Sequence, residues 1–282
     1  MNFEHTEQKN CLLLLGNFKN KHENDFFYNR NNSYINVLVD INKKLCEPNN
    51  CDIFILTDFC APYEKFKNDD ITLNEENYKK VENNIKKIFK EKLKIFEILS
   101  LNKDYINELN KIKIKMNKEY NYPMLDKDLG FFFKFYKLLD LIENYQKKKS
   151  IKYDNFILTK PDVIFNQPIS LKNIKLETNT IYCWYFMLTI CSNKTMKLLY
   201  NNMFDSEKQD GEKEGEAGET RLHRFFSKCG LKINQTFNGI NIPLSCTYHR
   251  QRYMSYGTVH FDKLMSYYSK EDQTFFLKNI NL

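Results

Sequence analysis

The sequence lacks any hydrophobic run as long as the roughly 18 residues that a membrane-spanning helix needs. Its first apolar run, residues 12–15, is too short for the core of a signal peptide. The acidic residues Glu4 and Glu7 precede that run, where a signal peptide carries positive charge. We therefore expect neither a secretory signal nor a membrane span.

Paired cysteines and zinc-type clusters are also missing. None of the eight cysteines belongs to a Cys-x-x-Cys pair, and no group of cysteines and histidines has the spacing of zinc ligands. Several cysteines lie within apolar runs, which is typical of buried thiols. The cysteine pattern therefore predicts reduced thiols and an intracellular protein.

Apolar and aromatic side chains are plentiful in the 282 residues, of which 42% are hydrophobic and 15% aromatic. Such a chain can bury a sizeable core, which excludes a disordered protein. We find no internal repeat and no interdomain linker, and we predict one domain over residues 1–282. Residues 205–218 are acidic and poor in large apolar side chains, and we expect them to form a flexible loop.

The net charge of +7 conceals a more basic majority of the chain. Residues 205–219 hold seven acidic residues and two lysines, so the remaining residues carry a net charge of +12. A basic balance favours anionic partners such as phosphates, nucleotide sugars or nucleic acid. The alternative is that the lysines solvate the exposed faces of long helices.

Short apolar runs alternate with helical patterns along the chain. The runs with the character of buried strands are residues 11–15, Cys51–Asp58 and 156–158. Residues 34–45 have helical periodicity, and residues 48–50 (PNN) are expected to break the chain after that helix. Residues 93–99 fit a strand or a helix end, and residues 180–190 fit one strand or two. We predict an α/β fold with a mostly parallel, Rossmann-like central sheet flanked by helices.

Two of these strands end in residues suited to binding a phosphate. Gly16 follows the first strand, and a glycine turn there lets backbone N–H groups approach a phosphate or a base. Lys160 and Asp162 follow the central strand, at the edge where α/β sheets bind ligands. A cation and a carboxylate suit a phosphate-bearing ligand, with or without a divalent metal. A surface salt bridge at the strand end is the alternative.

Four segments, in sequence order, match motifs of one family. They are residues 15–19 (LGNFK), residues 52–58 (DIFILTD), Lys137 followed by residues 153–162 (YDNFILTKPD), and residues 218–222 (GETRL). Over roughly residues 11–235 the chain resembles GT-A-like glycosyltransferases found in large DNA viruses, algae and bacteria. The order of the four motifs makes the resemblance more specific than any one of them.

The resemblance implies a GT-A-like fold and transfer of a sugar from a nucleotide-sugar donor, a UDP- or GDP-sugar, to a glycan or protein acceptor. The residues that it implies in donor binding are Gly16, Asn17, Lys19, Asp58, Lys137 and Lys160. Asp162 stands where related enzymes place an Asp-x-Asp metal motif, which implies a catalytic role and a bound Mn²⁺ or Mg²⁺ ion.

Two departures from the family pattern leave the activity open. Lysine replaces arginine at residues 19 and 160, which removes the bidentate fork of a guanidinium group. Residues 182–185 (YCWY) contain no aspartate, although the family carries one just before this strand. The chain is then either a metal-independent enzyme that neutralises the diphosphate with lysine, or a degenerate protein that binds sugar nucleotides without turnover.

Glu219 and His223 are our candidates for contacting the acceptor or deprotonating its hydroxyl group. For Glu219 the alternative is a charge that stabilises a helix N-terminus. Residues 249–252 (HRQR) form a basic cluster that either grips phosphate or lies in a solvated loop.

Nucleic-acid binding is a function of a different class. It requires the lysine-rich residues 103–118 and the cluster at residues 249–252 to form one face. The chain contains no recognised nucleic-acid motif, so we expect no nucleic-acid partner. We expect a cytoplasmic protein, located in the host cytoplasm or the virion if its source is a virus.

Overall fold

The computed structural model of the chain describes residues 8–17, 33–58, 75–99, 103–119, 126–161, 163–165, 168–172, 174–184, 188–205, 207–208, 218–234 and 248–250. The predicted acidic loop falls largely outside these ranges. No helix in the described ranges is long and apolar enough to cross a bilayer.

Strands and helices alternate as the sequence predicts. The elements up to the centre of the chain are β1 (Asn10–Asn17), α1 (Ser33–Ile41), a π-helical segment (Asn42–Cys46), α2 (Glu47–Asn49), β2 (Cys51–Asp58), α3 (Glu75–Phe89), a 3₁₀ turn (Lys90–Lys92), β3 (Leu93–Ile98), α4 (Lys103–Glu119) and α5 (Asp126–Lys149). The later elements are β4 (Asn155–Thr159), β5 (Val163–Phe165), β6 (Thr180–Trp184), β7 (Leu188–Ser192), α6 (Asn193–Asn202), α7 (Gly218–Lys228), β8 (Lys232–Asn234) and β9 (Tyr248–Arg250).

The central sheet has seven strands in the order β3-β2-β1-β4-β7-β6-β8. β3, β2, β1 and β4 are parallel to one another, and β6 is parallel to β8. β7 is antiparallel to both of its neighbours, β4 and β6. The predicted α/β class, with a mostly parallel sheet, is confirmed. β5 and β9 form a separate two-stranded antiparallel sheet.

Helices cover both faces of the central sheet. The side chains of a strand alternate between its two faces, so a run of consecutive apolar residues makes both faces apolar. Leu12 and Leu14 of β1 join a cluster with residues of α1 and α3. Leu13 and Leu15 join a second cluster with residues of α5, α6 and α7. These four leucines are at most 1% exposed. The burial of both faces that the apolar strands predict is therefore present.

The helix that follows β1 ends at Asn49, within the segment where the sequence predicts a break. The backbone changes from α- to π-helical geometry at Asn42, and Pro48 then lies in the first turn of α2. A proline is tolerated there because its missing N–H group has no partner within the first turn of a helix. Asn50 ends the helix with a φ of 47°, a left-handed conformation that asparagine tolerates.

The described cysteines confirm the prediction of buried thiols. They are free and buried: Cys11, Cys46, Cys51, Cys183, Cys191 and Cys229. Burial raises the pKa of Cys46 to about 12. Such a thiol stays protonated and unreactive near neutral pH.

Candidate functional site

The strand order reverses between β1 and β4. From β1 the chain crosses to β2 and β3 on one side, whereas β4 pairs with the other edge of β1. In open α/β sheets such a reversal leaves a crevice at the carboxyl ends of the two strands, and ligands bind there. The candidate site therefore lies where β1 and β4 end.

Gly16 contacts Pro161 across this crevice. Gly16 has a φ of +144°, and a Cβ atom placed on it would lie 2.9 Å from Pro161 Cδ and 3.9 Å from Lys160 Cβ. Real Cβ atoms essentially never approach a heavy atom that closely, so a larger residue requires Pro161 to move. The structure corrects one expectation, since Gly16 lies inside β1 and pairs with Thr57, and does not form a turn after the strand. Gly16 and the Lys160 segment, which the sequence indicates separately, lie close together.

The end of β2 flanks the other side of β1. The hydroxyl group of buried Thr57 donates a hydrogen bond to the carbonyl oxygen of Gly16 at 2.6 Å. In the parallel register, Asn17 lies beside Asp58. These two predicted donor-binding residues thus end adjacent strands at the carboxyl edge. The structure describes only their backbone positions.

A short turn follows β4. Lys160 is half-buried, and the N–H group of Val163 donates to its carbonyl oxygen at 3.4 Å. Asp162, the predicted metal ligand and catalytic residue, lies outside the described residues, and so does Lys19. The structure therefore brings Gly16 and Lys160 together and leaves Asp162 and Lys19 as predictions.

The basic cluster begins beside this turn. β9 pairs with β5, so that the backbone of Arg250 lies opposite Val163 and that of His249 opposite Ile164. The sequence places these residues far apart, and only the strand pairing brings them together. The prediction that the cluster binds phosphate remains open.

Lys137, another predicted donor-binding residue, lies between α4 and α5. Its Nζ atom is 2.6 Å from Oε2 of Glu108, and its side chain is 13% exposed. The same atom lies 5.3 Å from the centroid of the Tyr105 ring and 5.8 Å from that of Tyr136. Its described contacts are therefore those of a helix-to-helix ion pair.

α7 begins at the same edge of the sheet as the crevice. α5 ends at the amino edge, where Lys149 lines a cavity together with Asn10 and Asn50. The first turns of α5 therefore lie at the carboxyl edge, and Phe132 within them contacts α7. The guanidinium carbon of Arg221 lies 5.8 Å from the centroid of the Phe132 ring.

This position brings the two candidate acceptor residues to the carboxyl edge. Glu219 lies in the first turn of α7, and the structure describes its backbone position. His223 is half-buried, and its Nε2 atom is shielded from solvent. A substrate can therefore reach this nitrogen only after neighbouring side chains move.

Sequence reasoning missed the burial of Arg221, which is 2% exposed. Arginine is rarely buried to this extent. Because its guanidinium group is always charged, Arg221 adds a positive charge near the carboxyl edge. The available signal is its spacing of four residues from Phe225, which places both on one face of the helix.

The described residues contain no group of three or more histidine, cysteine, aspartate or glutamate side chains that could hold a metal ion. The predicted ligand Asp162 is not among them.

No family model matches the sequence, and no curated protein matches it either. Support for a function therefore comes from the motifs and from the geometry of the sheet edge.

A cavity of about 450 Å³ opens at the opposite, amino edge of the sheet. Tyr153 and Asp52 line this cavity, and the hydroxyl group of Tyr153 donates to Oδ2 of Asp52 at 2.7 Å. Lys94 Nζ lies 3.2 Å from Oδ1 of Asp52. Burial and this hydrogen bond raise the pKa of Tyr153 far above its usual value. Because α/β sheets bind ligands at the carboxyl edge, we assign this polar cluster a structural role.

Proposed function

We propose that this protein has a GT-A-like fold and is a glycosyltransferase, which moves a sugar from a UDP- or GDP-sugar to a glycan or protein acceptor. The contact of Gly16 with Pro161 carries the proposal. It joins two of the four motif segments at the edge where α/β sheets bind nucleotides. The sugar chemistry itself comes from the motif resemblance.

The nucleotide-sugar donor would bind at the ends of β1 and β4. Because Gly16 has no side chain, Pro161 packs against its backbone, which brings the ends of β1 and β4 together at the edge where the diphosphate would bind. Negative charge develops on the diphosphate as its bond to the sugar breaks, and the ammonium group of Lys160 would neutralise that charge. A lysine is a point charge that can follow the leaving group, but it does not hold two oxygens as arginine does.

Residues at the start of α7 would deprotonate the acceptor hydroxyl group. In an inverting transfer the acceptor oxygen attacks the anomeric carbon, the bond from that carbon to the diphosphate breaks, and a base takes the acceptor proton. Glu219 is our first candidate for the base, since Nε2 of His223 is shielded from solvent. Asp162 would supply a metal-binding carboxylate if Mn²⁺ or Mg²⁺ takes part.

The test is a thermal-shift screen of UDP, GDP, CMP, dTDP and their sugars, with and without Mn²⁺. A nucleotide at a hundredfold excess over its Kd adds about 2.7 kcal/mol of stability. This raises the Tm of a chain of this size by roughly 5 °C. We expect one nucleotide to give the shift, and transfer of its sugar to an acceptor then tests catalysis.

Lys160→Ala and Lys152→Ala form a matched pair, since Lys152 is exposed and precedes β4 whereas Lys160 follows it. We expect the nucleotide shift to disappear in Lys160→Ala alone. Binding without sugar transfer would favour a degenerate, sugar-nucleotide-binding protein. If no nucleotide binds and the chain instead binds nucleic acid with a steep dependence on salt, the proposal fails in favour of that alternative.

A further inference from the structure

Asp40 and Lys44 form a buried ion pair in the helix that follows β1. Asp40 Oδ1 lies 2.7 Å from Lys44 Nζ, and the two side chains are 1% and 4% exposed. Asp40 lies in the last turn of α1, and Lys44 lies in the π-helical segment that follows. Burying two charges costs desolvation energy that their attraction often does not repay, so stability alone is a weak explanation of the pair.

The ion pair holds the backbone of one residue, Phe165. The N–H group of Phe165 donates to Oδ2 of Asp40 at 2.8 Å. Lys44 Nζ donates to the carbonyl oxygen of Phe165. Both backbone polar groups of Phe165 are thus bonded to side chains of the helix that follows β1, and both bonds are charge-assisted.

The same helical segment also holds the chain beyond β5. The side chain of Asn49 accepts a hydrogen bond from the N–H group of Leu171 at 2.5 Å and donates to the carbonyl oxygen of Ile169 at 2.7 Å. The N–H group of Ile169 donates to the backbone oxygen of Lys44 at 2.9 Å. Phe165, Ile169 and Leu171 are therefore each hydrogen-bonded to this helix.

The turn at Lys160 is consequently fixed from both sides. Before it, Thr159 pairs with Leu14 of β1. After it, the pair of Asp40 and Lys44 fixes Phe165, three residues past Asp162. The described residues before and after Lys160 are therefore held by hydrogen bonds to β1 and to the helix that follows it.

We propose that Asp40 and Lys44 are positioning residues, which act through Phe165 to fix the segment that carries Lys160 in its ligand-binding geometry. Since their charges are opposite and 2.7 Å apart, they largely cancel at a distance, so the pair acts through geometry. This role rests on the proposed function, because the segment it fixes is the one that would bind the diphosphate.

Two double variants separate the backbone bonds from the charges. Asp40→Asn with Lys44→Gln removes both charges but keeps an oxygen for the Phe165 N–H group and an amide donor for its carbonyl oxygen. Asp40→Leu with Lys44→Met removes the charges and both bonds. Neither leaves an unpaired buried charge, which makes both more tolerable than the single changes. Phe89→Leu, at a buried residue of the same core cluster as Phe165, is the control for lost packing.

The first readout is hydrogen exchange of the Phe165 and Val163 amides in the unliganded protein. We expect both amides to exchange about tenfold faster in Asp40→Leu with Lys44→Met, called the Leu/Met variant. We expect exchange near the wild-type rate in Asp40→Asn with Lys44→Gln, called the Asn/Gln variant, and in Phe89→Leu. Unchanged exchange in the Leu/Met variant would overturn the proposal, whether or not the wild type binds a nucleotide.

The second readout is the Kd of the nucleotide selected by the thermal-shift screen. We expect the Kd to rise about tenfold in Asp40→Leu with Lys44→Met, because a segment that is less ordered before binding loses more conformational entropy when the nucleotide binds. We expect a Kd near that of the wild type in Asp40→Asn with Lys44→Gln. Faster exchange with an unchanged Kd, or an equal loss of affinity in Phe89→Leu, would overturn the positioning role. A wild type that binds no nucleotide instead refutes the proposed function, and the exchange experiment then decides whether the pair fixes the turn.

Discussion

The backbone of Gly16 lies so close to the ring of Pro161 that a Cβ atom on residue 16 would be 2.9 Å from Pro161 Cδ. The pairing of β1 with β4 imposes this approach, because it brings Leu14, two residues before Gly16, beside Thr159, the last residue of β4. Residue 16 is therefore constrained both by its φ angle and by its neighbour.

Gly16→Ala is expected to lower the free energy of unfolding by about 2–3 kcal/mol, since it adds a close contact to the strain of an unfavourable φ. Gly230→Ala is the matched control, because Gly230 has a φ of +74° but nothing within 4 Å of a built Cβ atom. We expect it to cost about 1 kcal/mol. Urea unfolding measures both values. Equal losses of unfolding free energy in the two variants would show that Pro161 moves aside without a measurable loss of stability.

Lys137→Met is expected to lower the free energy of unfolding by about 1 kcal/mol, because it removes a partly exposed ion pair and two contacts with tyrosine rings. A double-mutant cycle with Glu108→Gln, measured at low and high salt, gives the coupling between the two side chains. If Lys137 also binds the donor, its nucleotide Kd rises while that of Glu108→Gln stays near wild type. An unchanged Kd in Lys137→Met would remove this residue from the donor site.

Tyr153→Phe is expected to cost about 1–2 kcal/mol of stability, because it removes a 2.7 Å hydrogen bond to the carboxylate of Asp52. Asp52 keeps its contact with Lys94, which limits the loss. Since this cluster lies at the amino edge, we expect nucleotide affinity to stay unchanged. A tenfold weaker affinity in this variant would place the ligand at the amino edge and contradict the site at β1 and β4.

Stability is expected to fall as the pH rises above 9. Burial raises the pKa of Cys46 to about 12 and that of Cys229 to about 11, from an ordinary value of 9.0. Above pH 9 the unfolded chain releases these thiol protons while the folded chain retains them, so the free energy of unfolding decreases by up to about 1.4 kcal/mol per pH unit for each thiol. Below pH 9 this contribution is complete.

Thermal unfolding from pH 8 to about pH 11 measures this slope, and Cys46→Ala is expected to make it shallower. An identical slope in that variant would show that the Cys46 thiol does not contribute.

Buried strands were predictable because each is a short apolar run bounded by polar residues. The run at Cys51–Asp58 coincides with β2 residue for residue. The direction of β7 was not predictable, since the apolar residues 180–190 look alike whether they form one strand or two antiparallel ones. Strand direction depends on pairing partners that are distant in sequence.

The candidate site was predictable as a set of strand ends but not as a set of contacts. Gly16 and Lys160 were assigned to carboxyl ends from local patterns, whereas their contact depends on the long-range pairing of β1 with β4. The spacing of Asp40 and Lys44 is visible in the sequence as an i, i+4 pair. Their burial is not visible, because it depends on Phe165, which lies more than a hundred residues later.

The central position of β1 also has a consequence for how the chain folds. β1 can pair with β2 as soon as residue 58 is available, but its other edge stays open until β4, at Asn155–Thr159, has been made. During that interval a strand with four consecutive leucines presents unpaired backbone groups. Such an edge can pair with the same edge of another chain, so partly folded molecules are prone to associate through β1.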